Sequence, residues 1–167
     1  VAVCAMLLVR AYVCEPFLIP SASMTDTLRV GDRVLGEKVT YRTSSPRPGD
    51  IVTFHDPEGT STILIKRVIA TAGQTVDLDA DGTVVVDGER LDEPYTDGRP
   101  SYPIPRHAAT LQSDVAYPYT VPDGRVWVMG DNRTNSLDSR YFGAIPVTSV
   151  TSRALFVFWP IEDIATL

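Results

Sequence analysis

From Arg29 onward the apolar residues of this chain come in short β-branched runs, most of them closed by proline, glycine or aspartate. That rhythm leaves room for little except antiparallel sheet. "DRVLGEK" (32–38), "GDIVTF" (49–54), "STILIKRVIATAG" (61–73), "GRVWVMGDN" (124–132) and "SRALFVFWP" (152–160) read as strands. "QTVDLDADGTVVVDGERL" (74–91) reads as two strands around Ala80, Asp81 and Gly82, where the Asp-Gly pair marks a tight hairpin. "SLDSRYFG" and "PVTSV" each suit one helical turn. Thirteen prolines and eleven glycines, spread along the 167 residues, supply the turns. The expected fold is mostly β: coiled antiparallel sheets, close to a small barrel, with a smaller β insertion. The main β domain is assigned to 15–79 and 119–167. Residues 80–118 are assigned to the insertion, because the stretch 92–118 is polar, proline-rich and weakly periodic.

The first stretch, "VAVCAMLLVRAYVCEPFLIP", stands apart. It is more apolar than a surface segment, yet shorter than the roughly 20 residues that a full span requires. Residues 1–14 are therefore read as part of a helical membrane anchor, with Arg10 near the interface where its long stem reaches the headgroups. A buried core segment and a cleavable signal peptide are the alternatives. Cys4 and Cys14, the only cysteines, lie roughly 15 Å apart if this segment is helical, too far to bridge. The net charge of −6, without a Lys/Arg cluster, argues against nucleic acid as a partner.

A serine two residues from another, in "PSASM" (20–24), follows this apolar segment and raises the question of nucleophilic catalysis. A serine hydroxyl needs a base near neutrality. The two histidines, His55 and His107, lie in a strand-end turn and in the excursion, and there is no GxSxG elbow. His55, Asp56 and Glu58 fit no familiar metal spacing, so no metal and no cofactor are expected. There are also only two lysines. Lys38 has polar neighbours, whereas Lys66 lies within "ILIKRVIA". On a strand Leu64, Lys66 and Val68 share one face and Ile65, Arg67 and Ile69 the other, so one of two adjacent cations must point to an apolar face. Burial lowers a lysine pKa by up to about 3–5 units, which brings neutral amine within reach of working pH. A strand lysine with its head at the sheet edge is the competing reading. "MGDNRTNSLDSRYFG" (129–143) then packs acids, arginines and serines more densely than a turn requires, although Asx-turns and a surface ion pair account for some of them.

Together these stretches resemble the bacterial type I signal peptidases (leader peptidases), Ser-Lys enzymes that remove signal peptides from exported proteins. "PSASM" is similar to the family's nucleophile box, "PGDIVTF" (48–54) to its next strand, "KRVIATAG" (66–73) to its lysine strand, and "GDNRTNSLDSRYFG" (130–143) to its most distinctive box. The likeness runs from the apolar segment to "FWP". It implies that Ser23 is the nucleophile and Lys66 the general base. It makes Ser21 an oxyanion donor beside the Ser23 amide, Ser136 the partner that orients the lysine, Asp138 and Arg140 a supporting ion pair, and Asp131 a structural acid. It implies a membrane-bound endopeptidase, catalytic domain on the extracytoplasmic side, with secretory preproteins and membrane lipid as partners.

In this family the signal peptide binds as an added strand, with small side chains at the first and third positions before the cut. The candidate edges here are "EPFLIPS" and "TILIK", and Ile19, Met24, Leu64 and Ile65 are the candidate pocket residues by proximity. Three positions depart from the family pattern: Ala22 for glycine, Asp26 for proline and Thr134 for aspartate. The alanine is expected to restrict the backbone near the oxyanion site, and Asp26 to loosen its turn. Two rivals are a self-cleaving repressor, disfavoured by the apolar N-terminus and acidic charge, and a non-enzymatic β module on a membrane stalk.

Overall fold

The computed structural model describes Leu8 and residues 10–167, so the anchor expected over 1–14 lies largely outside the described residues, as does Cys4. Among the described residues no helix is long and apolar enough to cross a membrane. The helical premise for Cys14 is overturned: helical geometry ends at Tyr12, and Cys14 opens strand β1 (Cys14–Leu18). Two forces take it out of the helix. Pro16 cannot donate within one, and the whole segment pairs antiparallel with β2 (Arg33–Glu37), from Cys14↔Glu37 to Leu18↔Arg33. Glu15 is held there by Lys38, 2.6 Å away.

The expected strands follow as β3 (Ile51–His55), β4 (Ile63–Thr71), β9 (Arg125–Met129) and β11 (Val150–Trp159). With β10 (Ile145–Pro146) and β12 (Ala165–Thr166) they complete an eight-stranded antiparallel sheet of order β1-β2-β11-β3-β4-β9-β10, with β12 on β11. Its path is open: β1 and β10 end it and do not pair with each other. Each carries a proline, Pro16 or Pro146, and a strand proline removes a donor from the ladder. Register shifts at Val68/Ala70, Val150/Ser152, Ala154/Phe156 and Val157/Trp159 coil this sheet.

A second antiparallel sheet has the order β7-β6-β5-β8. It comprises β5 (Thr75–Leu78), β6 (Val84–Val86), β7 (Glu89–Arg90) and β8 (Tyr119–Thr120). The Asp-Gly hairpin joins β5 to β6, with Gly82 at φ +83, a left-handed conformation that glycine adopts without strain. One apolar cluster, containing Ile69, Val76, Val84, Trp127 and Met129, fastens the two sheets together. A second gathers Ile19, Met24, Leu28, Val34, Ile51 and Ile65 under the serine turn. "SLDSRYFG" supplies one helical turn, α1 (Ser139–Phe142), and Val147–Ser149 forms a 3-10 turn.

Candidate active site

Residues Ala22–Met24 form a single 3-10 turn directly after β1, with Met24 fully buried as its apolar anchor. Only Asp87 and Asp97 have positive φ among the described non-glycine residues, so Ala22 carries no left-handed strain. Ser23 is almost withdrawn from water, and its Oγ lies 2.7 Å from Lys66 Nζ. Ser21 Oγ stands 3.4 Å from Ser23 Oγ.

Lys66 comes from the middle of β4, opposite Val52 on β3, and is 4% exposed. Burial, opposed by the negative charges of Asp138 and Asp131, brings its pKa down to about 8. The adjacent cation does not end in water either. Arg67 Nε and Nη2 donate to the two oxygens of Asp131 at 2.9 and 2.7 Å, a bidentate pair on the other side of the strand. Asp131 also accepts from Thr27 of the serine loop.

The turn after β9 grips the serine turn from the opposite side. Asn132 N and Nδ2 donate to the carbonyls of Ser23 and Ala22 at 3.1 and 3.0 Å. Gly130 is obligatory for a spatial reason: a Cβ there would stand 2.3 Å from Ser136 Oγ and 2.5 Å from the Ser23 carbonyl oxygen. Asp138 is wholly buried and accepts from Arg140 Nε and Nη2, both at 2.9 Å, and from Gly130 N at 3.1 Å. Burial alone would raise its pKa, but Arg140 and the Gly130 amide hold the carboxyl below its ordinary value.

One expected contact is absent. Ser136 Oγ is buried beside Gly130, and no hydrogen bond joins it to Lys66. Lys66 makes its second hydrogen bond to the Ile65 carbonyl, at 3.0 Å, which lies nearer along its own strand. The candidate pocket residues also separate: Ile19, Met24 and Ile65 share one cluster, while Leu64 packs against another, as strand alternation requires. His107 pairs with Asp114 at the surface, and His55 is exposed at the end of β3. Asp26 does not float free but pairs with Arg99 at 3.1 Å. Arg67, Arg133 and Glu93 are among the polar groups around the site that sequence reasoning did not assign. The adjacency of Arg67 to Lys66 and the polar density of 129–143 around Arg133 signalled two of them, and nothing signalled Glu93.

The sequence model of the family described as "Signal peptidase, peptidase S26" matches residues 1–159. The chain belongs to that family. It is a serine-type peptidase, and thus a hydrolase. It is 43% identical to "Probable signal peptidase I-1" of Synechocystis over 96% of this chain and 79% of that protein. It is 37% identical to "Signal peptidase I" of Mycobacterium tuberculosis, over 89% of this chain and 66% of that protein. Among solved structures, a signal peptidase I from Enterococcus faecalis superposes with a TM-score of 0.51 at 33% identity, over 66% of this chain and 97% of the other. A further relative, "Thylakoidal processing peptidase 1, chloroplastic" of Arabidopsis thaliana, is 34% identical over 95% of this chain and 46% of that protein.

Proposed function

We propose that this peptidase cleaves signal peptides at a membrane surface with Ser23 as nucleophile and Lys66 as general base. One observation carries the reading: a buried amine of lowered pKa stands 2.7 Å from a buried serine hydroxyl. Neutral Lys66 Nζ accepts the Ser23 proton as Oγ bonds to the scissile carbonyl carbon. The oxyanion so formed accepts from the Ser23 N–H and the Ser21 hydroxyl. The carbon–nitrogen bond then breaks, and the Lys66 ammonium passes its proton to the departing amine of the mature chain. Water attacks the remaining ester with Lys66 again taking the proton, which returns to Ser23 Oγ as the signal peptide leaves as an acid.

The substrate reaches this centre as an added strand. Two backbone edges suit it. β1 pairs only with β2, and Ile63–Lys66 pair with β3 but, among the described residues, with no strand on their other side. Ile19, Met24 and Ile65, which share one apolar cluster, would supply the floor for small side chains. Leu18, Arg33 and Trp159 are paired across three strands at one end of the sheet, with exposed Val30, Ile161 and Ile164 beside them. That apolar end suits a bilayer surface, with the catalytic domain on the extracytoplasmic side where exported preproteins emerge.

Incubation with a preprotein, followed by mapping of the cut, tests the reading. Ser23→Ala abolishes processing while the fold stays intact, and Ser21→Ala slows it by about 10²–10³. Lys66→Arg is inactive, because a guanidinium keeps its proton. His55→Ala and His107→Ala keep most activity. A dead double-histidine variant alongside an active Lys66→Ala would overturn the mechanism.

A further inference from the structure

The segment from Glu93 to Tyr102 lies in the polar, proline-rich excursion and carries no reacting group, yet it closes on every arginine around the active site. Arg133 is 2% exposed. Its Nη1 and Nη2 donate to the two carboxylate oxygens of Glu93 at 2.9 and 2.6 Å, and Nη1 also donates to Ser101 Oγ at 2.7 Å. Its Nε donates back to the Gly130 carbonyl at 3.0 Å. The Tyr95 ring lies 4.0 Å from the Arg67 guanidinium carbon and 5.9 Å from that of Arg133, while its hydroxyl donates to Glu93 at 2.9 Å. Arg99 donates to the Thr25 carbonyl at 3.4 Å besides pairing with Asp26, and the Tyr102 carbonyl accepts from Arg140 at 3.2 Å.

Burying ionised groups is costly unless each finds geometrically good partners. A loop that merely covered the sheet would need none of them. Each tether here ends on the reacting centre. Glu93 holds Arg133, which holds the carbonyl of Gly130, the residue whose missing Cβ leaves room for the Ser23 backbone. Tyr95 covers Arg67, which holds Asp131, which in turn holds Thr27 of the serine loop. Arg99 grips the same loop directly.

We infer that residues 93–102 are a strap that positions the catalytic turn, with Glu93 and Tyr95 as positioning residues for peptide cleavage. The inference rests on the Ser23–Lys66 reading above. It places part of the catalytic apparatus in an insertion that has no catalytic motif.

The chain has only two lysines, which makes the test direct. With 13C at the lysine ε-carbons of the full chain, NMR follows two titrations without substrate, and Lys66→Met assigns them. In the wild type one midpoint is expected near 8. Glu93→Gln, which keeps the side-chain shape, and Tyr95→Leu loosen the turn and admit water. Because burial is the main cause of the depression, the Lys66 midpoint rises towards the ordinary lysine value by about half a unit or more. In the same variants kcat at pH 8 falls about tenfold or more with KM within about twofold, since remote misplacement costs rate more than binding. Tyr95→Phe keeps the ring over both guanidiniums and recovers most of what Tyr95→Leu loses. If Tyr95→Leu does not fold, Glu93→Gln carries the test. Folded variants with an unmoved Lys66 midpoint overturn the strap, whatever their rates. A wild-type midpoint at the ordinary lysine value defeats the base assignment itself, and the strap with it.

Discussion

A lysine at the centre of β4 works against the fold unless it loses its proton, and Lys66 carries that conflict in full. Its pKa falls from the ordinary 10.5 to about 8 in the folded chain. Between those two values the unfolded chain holds the proton and the folded chain does not, so stability rises with pH across that window. Below pH 8 the buried ammonium costs about 3 kcal/mol, at 1.36 kcal/mol per pKa unit. Lys66→Met therefore loses this slope. Urea unfolding of both proteins from pH 7 to 10.5 should show the wild type gaining up to about 3 kcal/mol on the variant. Parallel stability curves would mean that the amine is not desolvated. Neighbouring charges do not reverse the sign. Asp131 is committed to Arg67 and Asp138 to Arg140, so each carboxylate is already partnered near Lys66.

β1 is an edge strand of five residues, and the packing of one glycine keeps it in place. A Cβ on Gly36 of β2 would meet Ser152 Oγ at 2.3 Å and a Phe17 ring carbon at 2.7 Å. Phe17 belongs to β1 and Ser152 to β11, so a side chain at position 36 would push at both neighbours of β2. Ser152 is not free to move, because its hydroxyl and that of Thr53 share a hydrogen bond of 2.6 Å. Gly36→Val is expected to cost about 1–3 kcal/mol. It should also slow preprotein cleavage by displacing the strand that leads into Ser23. Denaturant titration checks the first expectation, and an unfolding free energy within about 0.5 kcal/mol of wild type would refute it.

At the scale of the whole molecule, one group of exposed apolar side chains, Leu18 of β1, Trp159 of β11 and Ile161 and Ile164 after it, stands at the Arg33 end of the large sheet. Trp159 is 49% exposed there, whereas Trp127 is fully buried between the two sheets, 4.8 Å from the Tyr119 ring. The two tryptophans therefore report differently on a membrane. With vesicles containing anionic lipid, Trp159 emission should shift to the blue and be quenched by nitroxide-labelled acyl chains. Trp159→Ser should abolish both changes. Vesicle-bound protein whose tryptophan emission stays that of water would remove the bilayer from this end of the fold.

The strands, the Asp-Gly hairpin and the helical turn at Ser139 were legible in the sequence because alternation, β-branching and turn chemistry act over a few residues. Ser23 and Lys66 were legible as candidates too, from motif and from the apolar neighbours of the lysine. Their contact was not readable from local pattern, since it joins residues 43 apart and depends on how β4 lies against the serine turn. Cys14 is extended because β2 pairs with it, although its sequence reads as the end of an apolar helix. Ser136 sits beside Gly130 with no hydrogen bond to Lys66, a placement that sequence spacing does not encode. The hold of Glu93 and Tyr95 on the arginines was hidden most completely. Polar residues beside prolines look alike in sequence whether they face water or a buried guanidinium, and only the packing of the chain around them decides which.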